Sequence, residues 1–151
     1  MSRRIIKAAV LLVAALAAAQ LVRPNRVNPP IDPARTIGAV AGTGTGLAAV
    51  LDRSCRDCHS NGTAWPRAAE IAPVSWVMAA AVTRGRRAVN FSEWTTYSPE
   101  QQGTLLALSC QDVSTGTMPG VYARVRPETR LSPRDVETIC AAAQRERQEK
   151  P

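Results

Sequence analysis

Residues 54–60 read Ser-Cys-Arg-Asp-Cys-His-Ser, with two cysteines two residues apart and a histidine directly after the second. Cysteines at this spacing serve a redox disulfide, a metal clamp or a covalent haem anchor, and each belongs to a different fold. A thioredoxin-type dithiol sits where a strand of a βαβ unit enters a helix. Here Leu47, Val50, Leu51 and Cys55 recur at helical spacing before the pair, and no strand pattern surrounds it. A structural zinc site needs four N or S ligands. The chain has four cysteines and one histidine, but adjacent residues such as Cys58 and His59 rarely face one ion. Cys110 and Cys140 lie 30 residues apart in predicted helices, unlike a second zinc knuckle. Haem attachment accounts for every part of the motif. Each thiol adds across one haem vinyl group, the two-residue gap lets both reach, and the histidine is held against the iron.

The N-terminus agrees with that chemistry. Met1 to Lys7 is a short basic stretch, and Ala8 to Ala19 is an unbroken apolar run. Its length suits the apolar region of a secretory signal and falls short of the roughly 20 residues of a membrane span. Cleavage near Ala17 and Ala19 and an uncleaved Ala-rich anchor are both compatible with it. Either way the remainder is exported, and covalent haem attachment takes place outside the bacterial cytoplasm. The formal charge is +7, but past residue 23 there are 15 basic and 12 acidic side chains, leaving +3. The basic residues do not interleave with aromatics along one face, so no nucleic-acid partner is expected. Residues 1–23 read as signal or anchor, 24–45 as a Pro/Gly-rich linker and 46–147 as the haem-binding domain. Pro24 to Pro33 holds four prolines in ten residues, which implies an extended, semi-rigid spacer or a loose N-terminus. Gly-Thr-Gly-Thr-Gly at 42–46 lacks the spacing of a phosphate-binding loop.

Beyond the motif the pattern predicts an all-α domain with long loops. A helix is expected from about Gly46 into the Cys-His segment, and another over Val74 to Arg86, stopped near Gly85. Ser98-Pro-Glu-Gln and Ser132-Pro-Arg-Asp are N-terminal capping signals for two more. The first carries Leu105, Leu106, Cys110 and Val113 towards a core and ends around Gly116; the second carries Val136, Ile139, Cys140 and Ala143. The final Gln-Arg-Glu-Arg-Gln-Glu-Lys-Pro is expected to be a solvated tail. Cys110 and Cys140 lie on apolar faces of consecutive helices, so in an oxidising compartment a disulfide pinning them is expected.

With one histidine in the chain, His59 can take only one side of the iron, and the other falls to Met, Lys or nothing. Met1 and Lys7 belong to the export segment and Lys150 to the tail, which leaves Met78 and Met118. Met78 sits on a predicted helix beside Trp76 and Val77, where a methionine commonly fills a core. Met118 lies in Thr115-Gly-Thr-Met-Pro-Gly, a loop able to approach a haem face.

From about Pro29 to Ala142 the chain resembles a family of small exported haem-binding domains with one C-x-x-C-H motif. The resemblance is carried by Cys55-Arg-Asp-Cys-His-Ser-Asn, Thr63 with Trp65-Pro66, Ile71-Ala-Pro-Val-Ser-Trp76, Gly85-Arg86, Asn90-Phe-Ser-Glu-Trp94, Met118-Pro119, Tyr122 and Leu131-Ser132. It implies c-type cytochrome behaviour, with Cys55 and Cys58 in thioether links to one haem c, His59 proximal and Met118 distal. The family also often carries cysteines like Cys110 and Cys140. Two departures stand out. Arg67-Ala-Ala-Glu70 replaces the aromatics that usually follow Trp-Pro, and Val125-Arg126-Pro127 replaces Leu-His-Pro.

The expectation is therefore a small cytochrome c-like helical domain wrapping one covalently attached haem. It would act as an exported, periplasmic electron carrier rather than an enzyme, tethered to the membrane through its N-terminal segment or released from it, with a redox protein as partner. Trp65, Trp76, Asn90, Phe91, Trp94 and Tyr122 are candidates for the haem pocket; Arg86, with Arg84 and Arg87, is a candidate for the propionates or an acidic partner. The alternative is a haem enzyme or sensor, peroxidase-like or gas-binding, with a displaceable distal ligand.

Overall fold

A computed structural model of the chain describes residues 2–40, 44–120 and 122–148; Met1, Lys150 and two residues of the 42–46 stretch, Gly42 and Thr43, lie outside them. Every regular element among the described residues is helical. The first, α1 (Arg3–Ala19), is capped by the Ser2 side chain, and none of its residues is buried. No described helix is long and apolar enough to cross a membrane.

The proline-rich segment does not behave as a spacer. Gln20 exchanges two hydrogen bonds with the backbone of Ala72, and the Trp76 indole donates to Val22 O at 2.8 Å. Arg26 donates to Ala69 O, Asn28 to Thr63 O, and Asn61 to Pro30 O. An extended, proline-interrupted backbone cannot pair with itself, so its free carbonyls and polar side chains pair with the 60–72 loop instead. Two short 3₁₀ turns follow, Pro33–Arg35 and Ile37–Ala39, and Ile37 enters the core at 5% exposure.

The core is built by one face of each remaining long helix. From α2 (Gly44–Ser54) come Leu47, Val50 and Leu51 at i, i+3 and i+4. The one-turn α3 (Arg56–His59) follows directly and packs on α4 (Val74–Ala88). Gly85 does not stop α4, which runs three residues past it. Its role is close approach: a Cβ there would stand 2.3 Å from the Cys58 carbonyl oxygen. After α4 the chain turns through a 3₁₀ stretch, Phe91–Thr96, that buries Phe91 and Trp94.

Helix α5 (Pro99–Ser114) starts with the capping box of Ser98 and Gln101 and ends before Gly116, whose φ of 73° suits only glycine without strain. It buries Leu106 and Val113. The short α6 (Tyr122–Val125) and a turn at Pro127–Thr129 lead to α7 (Pro133–Gln148). Ser132 and Asp135 cap α7 reciprocally, Ser132 N–H donating to the carboxylate at 2.8 Å and Asp135 N–H to the hydroxyl at 3.2 Å. Residues 144–148, expected to be tail, continue this helix, because Gln, Arg and Glu favour helix and no Gly or Pro intervenes. α5 and α7 form the largest helix pair and are joined by the Cys110–Cys140 disulfide, as expected, with the Cα atoms 4.8 Å apart. Each fully buried Leu or Ile in this core contributes about 2 kcal/mol by removal from water.

Candidate haem site

The motif folds as a single helical turn. Cys55 N–H still bonds Leu51 O at the end of α2, and the N–H groups of Cys58 and His59 both return to Cys55 O, at 3.2 and 3.0 Å. Residues at i, i+3 and i+4 share one side of a turn, so both sulfurs and the imidazole face the same way. They face a cavity of about 220 Å³ walled largely by apolar side chains, among them Leu51, Val89, Phe91, Leu105, Val113 and Ile139. Met118, Pro119 and Tyr122 line the same cavity from the segment after α5.

His59 is presented in one tautomer. Its Nδ1 lies 3.3 Å from Val89 O, and a carbonyl can only accept, so Nδ1 carries the proton and Nε2 keeps its lone pair. Burial lowers its pKa, opposed by backbone hydrogen bonds to Val89 and Gly85 and by the charge of Asp112, so the ring is neutral at pH 7. Burial also raises both thiols. Cys55 is pushed up to about 12, Cys58 adding to the effect and Arg53 opposing it; Cys58 is raised by burial and by Asp57 against Arg86. Protonated thiols are poor redox nucleophiles. This electrostatic setting is unlike that of a catalytic dithiol.

Within the motif, Asp57 is a buried carboxylate at 8% exposure. It accepts the Ala64 N–H at 2.9 Å and the Tyr122 hydroxyl at 2.7 Å, with Arg126 4.0 Å away. Burial, then the bond to Asp57, moves the Tyr122 phenol well above its ordinary range.

Of the aromatic residues named as pocket walls, Phe91 and Tyr122 line the cavity and the three tryptophans do not. Trp94, 1% exposed, is in the core between Phe91 and Tyr97, whose ring meets it edge-on at 5.8 Å. Trp65 donates its indole N–H to Asn28, and Trp76, 38% exposed, donates to Val22 on the side facing the N-terminal segment. Asn90 caps the turn at Phe91 and bonds Asn61. Arg86 turns away from the cavity, donating to Ser60 O, Thr63 Oγ1 and Asn28 Oδ1, which ties the N-terminal segment to the loop behind the motif. Arg84 and Arg87 are exposed, and half-buried Met78 lies outside the cavity lining. Sequence reasoning missed Asp57 and Asp112 in the lining, the Val89 carbonyl and the close approach of Gly85. Glycine inside a helical pattern was the one available signal.

No curated protein and no solved structure matches the chain. The side chains suit a haem: an apolar slot, a neutral imidazole with a free nitrogen, a thioether and two protonated thiols on one turn. A family model described as a haem-binding domain matches residues 14–145. The chain belongs to this haem-binding domain family.

Proposed function

We propose that the chain is an exported monohaem c-type cytochrome that carries electrons. Cys55 and Cys58 would hold the haem through thioethers, and His59 and Met118 would ligate its iron. When bound, the haem supplies an iron that alternates between Fe(III) and Fe(II), at a potential raised by thioether ligation. The residues of the chain orient and shield this iron. Val89 O fixes the His59 tautomer, and the apolar walls exclude water. No side chain need move a proton. The observation that carries the reading is that one cavity is lined by both thiols, the sole histidine and the loop methionine. Its setting is the bacterial periplasm, membrane-anchored or released, with a redox protein as partner.

The test is expression with a haem-attachment system. Haem is expected to stay on the chain in a denaturing gel and to be lost in Cys55→Ala/Cys58→Ala. The ferric protein is expected to show a near-infrared sulfur-to-iron band that vanishes in Met118→Ala. A high-spin ferric spectrum in the unmutated protein overturns the His59/Met118 ligand pair. That outcome supports the second reading, an enzyme or sensor with a displaceable distal ligand, which draws on Asp112 in the cavity lining.

A further inference from the structure

Asp57 is bonded in two directions. On one side its Oδ1 accepts the Ala64 N–H at 2.9 Å and its backbone carbonyl accepts the Thr63 hydroxyl at 2.7 Å, closing the loop that leaves the thiol–histidine turn. On the other, its Oδ2 accepts the Tyr122 hydroxyl at 2.7 Å, from a residue 65 positions further along the chain. Tyr122 opens α6, four residues after Met118, and both line the cavity. The backbone N–H of Met118 bonds Asp112 O at 3.2 Å, tethering the near end of the loop to the end of α5. The far end of the loop meets the motif through Tyr122, with Arg126 4.0 Å from the same carboxylate.

We infer that the Tyr122–Asp57 hydrogen bond is a latch that holds the Met118 loop over the turn bearing Cys55, Cys58 and His59. Tyr122 is then a positioning residue for the distal ligand, and Asp57 its anchor. A hydrogen bond to a buried charged group is among the stronger kinds, and it is made here between the two chain segments that supply opposite ligands. The latch rests on the His59/Met118 reading and adds to it the device that keeps the methionine in place.

Imidazole titration of the ferric holoprotein, followed in the Soret and near-infrared regions, tests both. Imidazole must displace Met118, so its affinity reports how firmly the loop is held. Tyr122→Phe keeps the ring and removes the donor; it is expected to bind imidazole about tenfold more tightly and to weaken the sulfur-to-iron band. Asp57→Asn can keep a hydrogen bond to the Tyr122 hydroxyl but removes the charge that strengthens it, and is expected to shift the same way by a smaller amount. Thr63→Val removes a hydrogen bond of equal length to the same residue, and with it the one from Arg86, without touching the Met118 segment; it is expected to loosen the loop behind the motif but to match the unmutated protein in imidazole affinity. An unchanged imidazole affinity in Tyr122→Phe overturns the latch, and so does an equal gain in Thr63→Val, which would mark a general loosening. If Met118→Ala leaves the band and the imidazole affinity as they were, the ligand assignment itself falls and the latch with it.

Discussion

Gly85 shows how one atom can decide how the turn bearing Cys55, Cys58 and His59 packs on α4. A methyl at this position would lie 2.3 Å from Cys58 O and 2.8 Å from Cys58 C, both backbone atoms that cannot rotate away. α3 would have to retreat from α4, carrying Cys58 and His59 out of line with the cavity. Gly85→Ala is therefore expected to cost about 1–3 kcal/mol, the usual range for overpacking. It should also lower the yield of covalent haem, measured by thermal melting and by haem stain. A stable, fully loaded Gly85→Ala protein would show that the turn adapts. The glycine was visible in the sequence and read as a helix stop, because a stop and a close approach leave the same letter in a helical pattern. Only the partner backbone, about 27 residues away in the chain, distinguishes them. The aromatic residues raise the same difficulty. Trp94 in the core and Phe91 on the cavity wall are three residues apart, and neither composition nor spacing tells which ring faces the haem. The shared side of Cys55, Cys58 and His59 is written locally, in their i, i+3 and i+4 spacing.

The helices were legible wherever their ends are written in side chains. Ser98 and Ser132 each begin a helix, and both caps form with the reciprocal bonds their sequences imply. Replacing Ser98 by Ala removes the acceptor for Gln101 N–H and should cost about 1 kcal/mol in chemical denaturation. The Asp135 cap adds a pH dependence. Burial pushes its carboxyl up, but the Ser132 backbone N–H and hydroxyl and the Arg53 guanidinium at 2.7 Å outweigh this and hold it below the ordinary carboxylate range. A carboxylate with a lowered folded-state pKa binds fewer protons folded than unfolded. Its contribution is therefore present above the ordinary carboxylate pKa and lost as pH falls through the lowered value. Asp135→Asn is expected to be less stable than the unmutated protein at pH 7, with the gap narrowing towards pH 3, as read from urea midpoints across that range. A gap that stays constant with pH would show that the Asp135 charge contributes nothing. The end of α7 was misread for lack of such a marker: a polar Gln-Arg-Glu-Arg run is as good a helix surface as a tail.

At the scale of the whole molecule, one covalent tie and one hydrogen-bonded strap set the frame around the cavity. The Cys110–Cys140 disulfide joins α5 to α7 and encloses the Met118 loop, Tyr122 and the α6 turn within its 30-residue span. Closing a loop of that length restricts the unfolded chain, and replacing both cysteines by Ser should cost about 3 to 4 kcal/mol. Native protein treated with a thiol reagent should leave both residues unalkylated. The second tie is the N-terminal segment, whose composition reads as a spacer but whose carbonyls and side chains are spent on the 60–72 loop and, through Asn28, on Arg86. No periodicity announces contacts of this kind, since an extended strap buries few side chains and bonds through scattered polar ones, Gln20, Arg26 and Asn28, and through the carbonyls of Val22 and Pro30. Its contribution can be separated from that of α1, which buries none of its own residues. A chain beginning at Gln20 keeps every strap contact and is expected to unfold at the same urea concentration as the full chain. A chain beginning at Asp32 loses the eight bonds of Gln20, Val22, Arg26, Asn28 and Pro30, and is expected to be less stable by about 4 kcal/mol at roughly 0.5 kcal/mol per exposed or half-buried hydrogen bond. Because Asn28 and Thr63 share the Arg86 guanidinium, the same truncation should also loosen the loop behind His59, seen as faster backbone hydrogen exchange at residues 60–64. Equal stability of the two truncated chains would make the proline-rich segment a spacer after all.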